Sequence, residues 1–209
     1  MYEVALQLPI GFVIALTGAL IPGPMMAFII ARTPESGPRT GTLAALGHVM
    51  VELVLLSMLA LGFGLILQNF IVQSVIYLIG GVSLVALSIF TFAKIGRVRG
   101  HTAGVAKYPP IKGGVLFSTI FNPTVLLWWV AIGTVMLMNA WFVAGWLGAT
   151  LWLVGHFSAD IIWFSFVSYS VSKGKKFLGT SGHKIVMSIC ALILLIFGII
   201  FLIQSLTIV

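Results

Sequence analysis

Two short segments of the chain share one pattern of chemically active residues. Gly47-His48-Val49-Met50-Val51-Glu52 and Gly155-His156-Phe157-Ser158-Ala159-Asp160 both read Gly-His-x-x-x-acid, 108 positions apart. Each stands inside a long apolar run, and the chain has only 4 carboxylate side chains in all. An ionisable group at the centre of a membrane helix costs roughly 2.5–3.5 kcal/mol, so its presence there points to function. Residues four apart lie on one helix face. Each His can therefore hold a proton beside its acid, or the four groups together can offer nitrogen and oxygen ligands to a borderline metal. A matched pair of such elements implies one site built by a duplicated unit.

The elements that must position these groups follow from composition. The 209 residues are 60% hydrophobic and 7% charged, whereas a soluble domain carries about 25% charged residues. The chain is read as one all-α membrane domain, 1–209. Six apolar runs are long enough to cross a bilayer: 4–31, 41–66, 71–93, 113–137, 142–171 and 184–208. All 11 Lys and Arg residues fall in the stretches 32–40, 94–112 and 172–184. The connections near Asn69 and Asn139 carry no charge. The positive-inside rule puts the basic connections in the cytoplasm and both termini outside, in a multi-pass protein of the cytoplasmic membrane. A net charge of +7 spread over such connections excludes a nucleic-acid face. One cysteine, Cys190, lies in an apolar run and cannot close a disulfide within the chain.

With an outside N-terminus, the first and fourth spans run in opposite directions. Halves at about 1–95 and 112–209 then form a 3+3 inverted repeat. Glu52 in the second span corresponds to Asp160 in the fifth, and the two should face each other across a pseudo-two-fold axis. Pro22-Gly23-Pro24 interrupts the first span and Asn122-Pro123 the fourth. Proline breaks the helical ladder, and freed backbone groups are tolerated at membrane depth only against protein or water. Asn122 before Pro123 is an N-cap followed by a first helical residue, and Gly23 before Pro24 is a weaker form. Each break starts a half-helix whose amides attract an anion. Paired breaks of this kind point to a transporter site. A zwitterion would place its carboxylate at the breaks and its ammonium at Glu52 and Asp160.

The same residues carry a family resemblance. Pro22-Gly23-Pro24, a basic connection, Gly47-x-x-x-x-Glu52, Asn122-Pro123 and Asp160, in that order, resemble the LysE-type amino-acid exporters. The resemblance covers nearly the whole chain. It implies six helices, export of amino acids from the cytoplasm, and coupling to the proton gradient. Met25 stands where many members have Asn, and Thr124 where many have Lys. His48 and His156 are outside the common pattern, and Leu126-Leu127-Trp128-Trp129 replaces the usual run.

The expected function is thus proton-coupled export of an amino acid or similar small zwitterion by alternating access. The alternative is a divalent-metal exporter using His48, Glu52, His156 and Asp160. Plainer roles are available too: a packing kink at the prolines, a structural hydrogen bond at each His–acid pair, lipid-facing positions for Trp128, Trp129 and Trp163. A water channel fits poorly, because its Asn-Pro half-helices sit in re-entrant loops. No nucleophile–base constellation suggests an enzyme, and no cofactor is implied. The partners are the amino-acid substrate, protons, membrane lipid and, if the chain oligomerises, a second copy in a homodimer.

Overall fold

A computed structural model describes residues 2–20, 23–62, 69–95, 107–122 and 124–207. Pro22, Pro123, Arg97 and Arg99 lie outside them. All the regular structure among the described residues is helical. The helices are α1 (Tyr2–Ala19), α2 (Pro24–Ser36), α3 (Thr40–Ala60), α4 (Phe70–Ile95), α5 (Pro110–Leu116), α6 (Thr124–Trp128) and α7 (Thr134–Thr207), with a π-helical turn at Trp129–Gly133 before the last.

Five stretches are long and apolar enough to cross a membrane: Tyr2–Ala19, Thr40–Ala60, Phe70–Ala93, Thr134–Gly174 and Ser188–Thr207. The expected span over 113–137 is not one helix. It is divided among α5, a run of turns, α6, the π-helical turn and the start of α7. The expected first span is likewise split, with α1 ending at Ala19 and α2 starting at Pro24. Proline accounts for the second start: Gly23 is extended (φ −133°, ψ −172°), and Pro24 takes the first helical position, where its missing N–H is no loss. α2 then runs on to Ser36, into the segment expected as a basic connection.

The last helix also differs from expectation. Helical backbone continues through 172–184, where the lysines and glycines suggest a loop. No proline follows Pro123, so no residue there forbids a helix. α7 is nevertheless not a rod, since 74 residues would extend about 110 Å. Gly145 has φ 57°, a conformation that glycine adopts without penalty. Across that bend Trp141 and Trp146 meet with ring centroids 4.3 Å apart, and Gly148 packs on the Ala140 carbonyl.

Packing brings α3 beside the middle of α7 in antiparallel order. Thr42 Oγ1 and Ser165 Oγ hydrogen-bond at 2.7 Å, and His156 reaches Glu52 one end further along. α4 lies antiparallel to the end of α7, with Ser74 donating to the Ser205 carbonyl and Ser88 to that of Ala191. The glycines of the repeated element have one job in both places. A Cβ on Gly47 would collide with the Ile111 carbonyl of α5, and one on Gly155 with the Leu8 carbonyl of α1. Only hydrogen fits where two backbones meet this closely.

Gly47→Ala and Gly155→Ala should each destabilise the purified protein, by about 1–3 kcal/mol for an overpacked site. Gly174→Ala, inside α7 where nothing lies within 4 Å of the added carbon, should hold or raise the melting midpoint. Equal midpoints for all three would refute the close approach.

Candidate transport site

α3 presents His48 and Glu52 one turn apart, and α7 presents His156 and Asp160 in the same way. All four are buried, at 8, 2, 3 and 4% exposed respectively. The antiparallel packing of α3 on α7 closes them into a quartet. His48 Nε2 lies 3.4 Å from Glu52 Oε1 and 3.9 Å from Asp160 Oδ2. His156 Nε2 lies 3.1 Å from Glu52 Oε1 and 3.5 Å from Asp160 Oδ2. Each imidazole thus faces both acids, one on its own helix and one on the neighbour.

The outer side of each ring is held differently. His48 Nδ1 shares a 2.7 Å hydrogen bond with Ser118 Oγ, in the turn after α5. This bond leaves Nε2 turned toward the acids. His156 has three tryptophans around it. Trp128, Trp129 and Trp152 lie with centroids 5.2, 5.0 and 5.4 Å from its ring, and Trp152 is stacked on it at 15°. With its proton on Nε2, His156 donates to Glu52 Oε1. Trp129 Nε1 donates to the same oxygen at 2.8 Å.

Trp129 is fully buried, and the π-helical turn that it opens delivers its indole to Glu52. Gly133 makes room for it, because a Cβ there would press on the rings of both Trp128 and Trp129. Thr134 Oγ1 donates to the Trp129 carbonyl at 2.7 Å, closing the widened turn.

The quartet and Trp128 border a cavity of about 220 Å³. Of the residues singled out in the sequence, Gly23, Pro24, His48, Glu52, Asn122, His156 and Asp160 all border it. Pro22 and Pro123 lie outside the described residues. The helix break at Gly23 and the one at Asn122 therefore open on the same space as the acids. His48, Glu52 and Asp160 can each bring one ligand atom within 4.8 Å of the others, so they are the residues that could hold a metal ion.

Residues 16–205 match the family model of the LysE type translocator. The chain belongs to that family. It is therefore a multi-pass membrane transporter, as the apolar helices require. No curated protein and no solved structure matched it.

Three participants in the site escape the sequence. Trp129 in an apolar run looks like Trp128 or Trp163, and nothing local marks it as a carboxylate donor. Ser118 is 70 residues from His48 and carries no signal. Trp152 had one: it precedes His156 by four positions and so shares its helix face.

Trp129→Phe keeps an aromatic ring at the site but removes the indole N–H from Glu52 and some of the buried volume. Leaving a buried carboxylate short of a donor should cost about 1–3 kcal/mol. Thermal melting in detergent should show the loss. Trp146→Phe, at a side chain 78% exposed, serves as control, and equal midpoints would remove Trp129 from the site.

Proposed function

We propose that the chain exports an amino acid or similar small zwitterion across the cytoplasmic membrane, with Glu52 and Asp160 carrying the coupling protons. One observation carries the reading: two buried acids, two imidazoles and two helix breaks border a single cavity. Acids held by imidazoles can exchange a proton for a substrate ammonium. The first-turn amides of α2 and Asn122 supply the opposite pole for a carboxylate.

The 3+3 inverted repeat is part of the same proposal. Gly47 packs on α5, at the start of the second half, and Gly155 on α1, at the start of the first. The crossed contacts His156–Glu52 and His48–Asp160 exchange the halves in the same sense. Six crossings follow if residues 110–140 make one broken span. Both termini then lie outside and the basic connections inside. Alternating access would rock one half against the other around the quartet.

Metal export is the weaker reading. The family match does not favour it. Glu52 Oε1, which faces both imidazoles, already accepts the Trp129 N–H, and a donor aimed at that oxygen competes with a cation.

Glu52→Gln and Asp160→Asn keep the shape and remove the proton carrier. In proteoliposomes each should abolish efflux driven by an imposed pH gradient while the protein still folds and inserts. Undiminished pH-driven efflux in both variants would overturn the assignment.

A further inference from the structure

The cavity has a polar wall and an apolar one, and their arrangement restricts what can occupy it. Glu52 Oε2 and Asp160 Oδ2 are buried without a hydrogen-bond partner among the described residues. Their carboxyl groups share the same two imidazole nitrogens at 3.1–3.9 Å, so they form one compact cation pole rather than two. The other acids of the chain, Glu3 and Glu35, are exposed. No Lys or Arg borders the cavity among the described residues. A bound carboxylate then finds no permanent cation outside the quartet and must be met there by neutral N–H groups. Trp128 offers one: its Nε1 is buried without a hydrogen-bond partner among the described residues, and the ring lies on the cavity wall beside Gly18, where a Cβ would sit 3.5 Å from that nitrogen. Met25 and Met26, in the first turn of α2 where backbone N–H groups lack helical partners, border the same space. Asn122 adds one more polar group, and the remaining wall is apolar and includes Ala15, Val125, Phe164 and Phe197.

We infer that the cavity takes amino acids with an uncharged, apolar side chain and rejects basic ones, and that Trp128 is the residue whose indole N–H binds their carboxylate. This rests on the exporter reading and narrows it. A basic amino acid has two cationic groups held apart by its side chain. The quartet can receive one of them, and the other would be buried against Phe164 and Phe197 without a counter-charge, which is strongly unfavourable. An apolar side chain on the same wall gains contact instead. A volume near 220 Å³ is below the roughly 300–1,000 Å³ of sites for drug-sized ligands, so the occupant is small.

The test is counterflow with the full-length protein in proteoliposomes, using radiolabelled leucine, methionine and lysine. 3-Methylbutylamine, which is leucine without its carboxylate, serves as a competitor. Leucine and methionine should exchange, and lysine should exchange at least tenfold less well. Trp128→Phe should raise the KM for leucine about tenfold or more, the weight of one hydrogen bond to a charged group. It should leave Vmax and inhibition by the amine unchanged. Lysine exchange equal to leucine would overturn the substrate class. Loss of leucine and amine binding together in Trp128→Phe would overturn the carboxylate role and reduce Trp128 to packing. If wild-type protein with a sharp melting transition exchanges no amino acid at all, the exporter reading falls, and this inference with it.

Discussion

Two carboxylates buried between apolar helices are the constraint on which the rest of the structure depends. Neither can stand alone at membrane depth, and water is not available to every lone pair. The structure meets them with donors from three elements, and a fourth orients one of those donors. α3 and α7 each bring an imidazole, the π-helical turn brings the Trp129 indole, and the turn after α5 orients His48 through Ser118. Those elements must approach closely for such short side chains to meet. Gly47 lets α3 close on α5, just before the Ser118 turn, and Gly155 lets α7 close on α1, each glycine one position before a site histidine. The repeated element is thus a packing device and a chemical one together: glycine sets the helix spacing, and the next residue uses it.

The part of this legible in the sequence was the part carried by repetition and by charge. His48, Glu52, His156 and Asp160 announced themselves because ionisable residues in apolar runs are rare. Their recurrence with one spacing implied a shared site. The helix breaks were legible because proline there follows a capping Gly or Asn, whereas Pro9 and Pro34 stand inside α1 and α2 without ending them. Trp129 was not legible, since an indole in an apolar run has the same pattern whether it faces lipid or a carboxylate. Only the π-helical turn, which shifts the register by one residue, decides which way it points. The helical backbone through 172–184 was missed for the opposite reason. Lysine and glycine there read as a connection, but glycine weakens a helix by only about 1 kcal/mol, and no proline stops it.

The quartet combines two kinds of contact, and the distinction bears on how a transporter of this family can move. His48–Glu52 and His156–Asp160 are pairs within a helix, at 3.4 and 3.5 Å. A rigid-body displacement of α3 against α7 leaves them intact. His156–Glu52 and His48–Asp160 join the two helices, and the same displacement separates them. In the exporter reading, each acid therefore keeps an imidazole when the halves part, and neither is left as an isolated buried charge. The group that must let go is Trp129, whose indole stands on a third element and holds Glu52 Oε1 from outside both pairs. In the same reading, a shift of its π-helical turn to an α-helical register is the step that would release this tie.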